Sequence, residues 1–200
     1  PGSTAARVRA TYLLPSGRTV VKDYDVAALS RFTIWVDLED QSLADTAVSA
    51  TLESLGGEPI IVERAMWWGT GGRWYEAHNS PGAVATGFRW GLAAGEVGGQ
   101  RAVETYLLLA NTSRVPGVAR VTLLFEDGTT AERTFPMAAT SRFTVAVALE
   151  FPEAAGRRFG AVVESLGDPP ARLVVERAMY WSANGVFWAA GSNALATRLR

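Results

Sequence analysis

Ser30-Arg31-Phe32-Thr33 returns as Ser141-Arg142-Phe143-Thr144, and Glu63-Arg64-Ala65-Met66-Trp67-Trp68 returns as Glu176-Arg177-Ala178-Met179-Tyr180-Trp181. Gly17 repeats as Gly128, and Glu53-Ser54-Leu55-Gly56 as Glu164-Ser165-Leu166-Gly167, both at the 111-residue offset that separates Arg31 from Arg142. A period of this length means two copies of one fold. The 200 residues therefore divide into two domains of ordinary size, each able to bury a core without a metal or disulfide staple.

The pattern inside each copy is that of strands. In the second copy, apolar or alternating runs cover Val103–Ala110, Ala119–Phe125, Thr129–Phe135, Arg142–Leu149, Phe159–Leu166, Leu173–Trp181 and Val186–Ala190. These runs have the number and spacing expected of an immunoglobulin-like sandwich. Pro15-Ser16-Gly17 and Glu126-Asp127-Gly128 lie between such runs and read as hairpin turns. Asp40–Ala44 and Phe151–Ala155 read as one short helical turn in each copy. Gly91, Gly95, Gly98 and Gly99 mark a linker over Gly91–Gln100, with Trp90 packed at the interdomain joint. The expected fold is all-β: two tandem immunoglobulin-like antiparallel β-sandwiches, residues 1–91 and 92–200. Pro1 aligns with Thr112, so the first copy lacks a counterpart to the strand Glu104–Leu109 and is expected to present an open edge.

Composition narrows the function classes. A net charge of -1 with interspersed signs gives no footprint for nucleic acid or an anionic surface. No apolar run reaches the length of a membrane span. With no cysteine, thiol catalysis, disulfides and cysteine metal sites are excluded. His78 is the only histidine, and its aligned region reads Gly191-Ser192-Asn193, so no triad is repeated. A single site from His78, Glu76 and Asn79 would lack a serine elbow. The acidic run Asp37-Leu38-Glu39-Asp40 with Asp45 lacks calcium-loop spacing and reads as a solvated turn. No enzyme, cofactor or metal site is expected.

What remains are charged pairs and aromatic hairpins. Strand alternation puts Val62, Arg64, Met66 and Trp68 on one face and Glu63, Ala65 and Trp67 on the other. Glu53 with Arg64, and Glu164 with Arg177, are expected as cross-strand structural ion pairs. Arg31 and Arg142 are either local hydrogen-bonding devices or anion ligands. Two Gly-bearing hairpins carry rings on their flanks; Trp67, Trp74, Tyr75, Phe187 and Trp188 are the candidate binding residues, because flat exposed aromatics stack on sugars and proteins.

Through Tyr106-Leu107-Leu108-Leu109-Ala110-Asn111, Glu126-Asp127-Gly128-Thr129-Thr130 and Val175-Glu176-Arg177-Ala178-Met179-Tyr180-Trp181, the chain resembles tandem repeats of an uncharacterised β-sandwich domain family in large secreted bacterial proteins. The resemblance spans nearly all of the sequence. It implies an extracellular or cell-surface array acting as spacer, adhesin or accessory module, and carries over no catalytic residue. The expected function is that of a non-catalytic structural and adhesive repeat module. Its partners would be other repeats or neighbouring subunits met through β edges; a glycan-binding module and a strand-exchanged filament subunit are the alternatives.

Overall fold

The computed structural model describes residues 1–200 apart from the side chain of Thr70. The chain is all-β and antiparallel, as its alternation predicts, with a sandwich at its centre. The strands are β1 (Ala6–Leu13), β2 (Thr19–Val26), β3 (Ser49–Ser54), β4 (Glu63–Thr70), β5 (Arg73–Pro81), β6 (Arg89–Glu96), β7 (Glu104–Asn111), β8 (Gly117–Phe125), β9 (Thr130–Met137), β10 (Ser141–Ala146), β11 (Arg158–Leu166), β12 (Leu173–Ala183), β13 (Val186–Leu195) and β14 (Thr197–Arg198). Two single-turn helices, α1 (Val36–Glu39) and α2 (Val147–Glu150), each precede a 3-10 turn, Gln41–Leu43 and Pro152–Ala154. The expected helical turns are therefore present; α2 also takes Val147–Leu149, which alternation alone had assigned to a strand.

The second copy is a closed two-layer sandwich. A five-stranded sheet, β14-β6-β11-β8-β9, faces a four-stranded sheet, β10-β7-β12-β13. Its core combines Leu107 and Leu109 of β7, Val121 and Leu123 of β8, Val163 of β11 and Val175 of β12 with Phe151, the N-cap of the second 3-10 turn, all 1% exposed or less. Tight turns build the hairpins. Gly17 and Gly128 both have φ near +80° (81° and 82°), the left-handed conformation glycine adopts without cost, and close β1–β2 and β8–β9 where hairpin turns are expected.

The segment read as a linker is a strand. β6 runs through Gly91 and Gly95 and pairs with β11 in the core sheet, so the expected boundary after residue 91 falls inside a strand. Glycine is required there by close packing rather than by flexibility: a Cβ on Gly95 would lie 2.3 Å from the Phe159 ring. Only Gly98 and Gly99, at φ +78° and +70°, make the turn into β7. Trp90 is correspondingly not at a joint but inside the second copy's core, 3% exposed.

The first copy holds the counterparts of β8, β9 and β11 as a three-stranded sheet, β2-β1-β3, and those of β12 and β13 as a two-stranded ribbon, β4-β5. Within the described residues 1–87 there is no strand matching β6, β7, β10 or β14, although residues 30–35 repeat the sequence of β10. Its small core gathers Ala10, Tyr12, Leu14, Val20 and Leu43, with Ile34, Val36, Val48 and Leu52 only half-buried against them. The ribbon instead lies on the outer face of the four-stranded sheet as a third layer, in contact along β13.

Candidate functional site

The face between ribbon and sheet concentrates the polar and aromatic groups that strand alternation sends outward from the sandwich. From β7 and β12 come Glu104, Tyr106, Glu176 and Tyr180, because Leu107, Leu109, Leu173 and Val175 occupy the inward positions. From the ribbon come Arg64 and Trp68 of β4, on one face as alternation predicts, with Glu76 and His78 of β5 opposite Trp68 and Met66; Glu63, Ala65 and Trp67 are exposed on the other face.

One knot is ionic. Arg64 donates from its guanidinium to Glu176 Oε1 at 2.9 Å, and Asn193 Nδ2 donates to the same oxygen at 2.8 Å. Arg142 of β10 stands near both Arg64 and Glu176. It is 8% exposed, has no side-chain hydrogen bond among the described residues, and is pushed down to about 10 by burial and then by the Arg64 charge. Its backbone N–H donates to Leu14 O at 3.3 Å, which pins the β1–β2 turn to the second copy.

The other knot is aromatic. Tyr180 stacks on Trp188 at 4.4 Å and meets the Trp68 ring edge-on at 5.3 Å; Tyr106 packs against Tyr180 and Trp188. Trp68 Nε1 donates to Trp188 O at 2.7 Å, and Tyr75 Oη donates to Phe187 O at 3.3 Å. Glu104 accepts from Trp188 Nε1 at 3.3 Å and from the Tyr106 hydroxyl. Burial, then the Glu104 carboxylate, drives the Tyr106 phenol well above its usual range. His78 Nε2 lies 3.3 Å from the Tyr180 hydroxyl; burial and then Arg64 hold its imidazole below the ordinary histidine value.

The hairpin turns aim these rings. Gly71-Gly72 and Asn184-Gly185 have positive φ at both central residues, as two-residue turns between twisted strands require. In the second hairpin Trp181 faces Ala190 while Ala183 faces Val186, so Phe187–Ala189 bulge opposite Ser182. Trp188 sits in that bulge at φ +50°, a strained conformation for a bulky residue, costing about 1–3 kcal/mol. The bulge turns its indole onto Tyr180.

Of the candidate aromatics, Trp188 is thus half-buried in the interface, whereas Trp67, Trp74 and Phe187 are 55%, 66% and 62% exposed and Tyr75 lies at the rim. Trp67 stacks on Trp35 at 6.4 Å, a partner that sequence reasoning missed because it lies in the irregular segment before α1.

Neither expected ion pair forms. Arg64 pairs with Glu176 of the other copy rather than with Glu53; Glu164 pairs with Arg89 at 3.1 Å and Arg120 at 2.7 Å, while Arg177 donates to Ala94 O and Ser192 Oγ. The connection from β11 to β12 crosses between sheets, so Glu164 and Arg177 stand in different layers although their strands are consecutive.

The remaining motifs have local partners. His78 and Glu76 face inward, but Asn79 points outward and donates to Glu63. Asp40 caps the first 3-10 turn through Ser42, and Glu39 accepts from the Tyr24 hydroxyl at 2.7 Å. Among the described residues no group of three or more His, Cys, Asp or Glu could hold a metal ion. No helix is long and apolar enough to cross a membrane.

No family model matches the chain, and no curated protein matches it. Among solved structures, the crystal structure of Thermotoga maritima 1070 is similar over 56% of this chain and 95% of that chain, at 12% identity and a TM-score of 0.49.

Proposed function

We propose that the chain is a non-catalytic structural and adhesive repeat module of a bacterial cell surface. It makes its contacts through sheet edges and the ribbon's aromatic face. The observation that carries this reading is the set of large rings left in water on a rigid support: Trp67, Trp74 and Phe187, each more than half exposed, flank two-residue turns whose strands are fixed by Arg64–Glu176 and Trp68–Trp188 contacts. Exposed aromatic surface of this kind is expected at interaction sites. A catalytic reading finds less support, because His78 contacts a phenol and lies in an aromatic cluster rather than beside an activated nucleophile.

The test is binding of the labelled chain to isolated bacterial envelopes. A Trp67→Ala/Trp74→Ala/Phe187→Ala variant is expected to lose about tenfold or more in affinity, equivalent to about 1.4 kcal/mol, with an unchanged unfolding midpoint. Unaltered binding by that variant, or none by the parent chain, would sink the adhesive reading.

The near-parallel indoles of Trp35 and Trp67, 27° apart and both more than half exposed, favour a glycan as the second reading. Competition by free oligosaccharides would separate it from protein–protein adhesion.

A further inference from the structure

We infer that the covered face between ribbon and sheet holds a small monovalent anion of chloride or bromide size, with the guanidiniums of Arg142 and Arg64 as its ligands. The adhesive reading neither requires this site nor predicts it.

Alternation in β10 sends Phe143 and Val145 into the core, and Arg142 onto the outer face on which the ribbon lies. Strand order β10-β7-β12 sets Arg142 two strands from Glu176, about 10 Å at the ordinary strand spacing, most of which an extended arginine spans. The floor between them is apolar: Ala110 stands opposite Arg142, and Leu108 opposite Glu176. The ribbon covers this floor with Arg64 and its cross-strand partner Ser80.

The charges on this face do not balance. Arg142 is 8% exposed, and its side chain makes no hydrogen bond among the described residues. A local hydrogen-bonding role, one of the two expected of it, is therefore absent. Even pushed down to about 10 it keeps its proton at neutral pH, so the cost of burial is not relieved by discharge. The carboxylate near it, Glu176, already accepts from Arg64 at 2.9 Å and Asn193 at 2.8 Å, both on Oε1. Two guanidinium charges face one carboxylate, and a buried charge without a counter-charge is costly.

Unused donors lie in the same interface. Arg64 Nε and His78 Nδ1 are buried with no hydrogen-bond partner, and Ser80, 8% exposed, has no side-chain hydrogen bond among the described residues. Water accepts protons from such donors but brings no charge, whereas an anion supplies both. The small accessible fraction of Arg142 leaves no room for a chain segment or a bulky oxyanion. The Ala110 and Leu108 floor favours ions that shed water readily, bromide and chloride before fluoride or sulfate.

The test is an anion titration of the full chain at constant ionic strength, replacing sodium gluconate, which is too large for the site, by sodium bromide. Amide exchange in β4 and β5 reads the opening of the ribbon. With bromide at about ten times its dissociation constant, exchange there is expected to slow by about tenfold and then to saturate. Fluoride is expected to act more weakly. Arg142→Met replaces the charge with an apolar chain, which is commonly neutral or stabilising at a buried site, and is expected to remove the bromide dependence. Arg114→Met, at an exposed arginine, is expected to keep it. In crystals grown with bromide, anomalous scattering is expected to place the ion within hydrogen-bond reach of Arg142. Equal exchange in gluconate and bromide, undiminished dependence in Arg142→Met, or bromide found only at exposed arginines would overturn the inference. The titration and the anomalous signal use the parent chain, so they decide the matter even if Arg142→Met does not fold.

Discussion

Ser141-Arg142-Phe143-Thr144 and Ser30-Arg31-Phe32-Thr33 carry the same four residues in two different structures. The first opens β10 and leads to Val145, which is 0% exposed; the second is irregular, with Phe32 half in water. The same contrast recurs at Val147 and Val36, Phe159 and Val48, and Val163 and Leu52, each buried in the second copy and half-buried in the first. All are apolar, so side-chain chemistry is not the variable. What differs is the presence of β6 and β7, whose ladders complete both sheets and whose Leu107 and Leu109 fill the space between them. Burial in a sandwich is a property of the whole pair of sheets, because a face is removed from water only when its opposite face exists.

The largest expected effect tests that contrast directly. Phe151→Ala empties a fully buried site and should cost about 3–5 kcal/mol, whereas Leu43→Ala in the smaller core should cost about 2–3 kcal/mol and act on β1–β3 alone. Denaturant unfolding followed by hydrogen exchange distinguishes the two; equal losses spread over the whole chain would mean that the copies unfold as one unit.

A smaller effect separates the ribbon from the copy that encodes it. Arg64→Ala leaves the Glu176 carboxylate without its cation and should weaken ribbon docking by about 1–3 kcal/mol. Loss of amide protection is expected in β4 and β5 but not in β1 or β2. If β1–β3 lost protection in parallel, the ribbon would belong energetically to its own copy.

The mildest effect is pH-dependent. His78 is held below its ordinary value, so between the unfolded value near about 6.5 and its lower folded value the unfolded or undocked state binds more protons. Stability therefore rises with pH across that window and is lost on acidification, with Arg64 adding to the penalty and Glu176 and Glu76 opposing it. Ribbon protection should decline between about pH 7 and pH 5, and His78→Gln should flatten the profile. A profile unchanged by that substitution would assign the titration to another group.

Several features are legible in the sequence itself. The turns at Gly17 and Gly128, the Gly-Gly and Asn-Gly hairpins, and the two faces of β4 follow from local rules that span a few residues. Glycine misled where its role was non-local: Gly95 reads as a flexible hinge until the Phe159 ring is seen lying over it. Trp90 and the two expected ion pairs failed for a related reason, since sequence order does not say which sheet the next strand joins. Alternation puts Arg64 on an apolar face, and nothing in its neighbourhood along the chain points to Glu176 more than a hundred residues away.

The sequence by itself determined the all-β class, the recurrence of short motifs along the chain, the hairpin turns and the two faces of β4, because alternation and turn chemistry act between neighbours in the chain. Only the tertiary structure decided that β6 belongs to the second sandwich, that the ribbon rests on the other copy, and that Arg64, Glu176, Tyr180 and Trp188 meet. Those outcomes depend on which sheet faces and edges find a partner, a choice made by burying the most apolar surface across long chain separations.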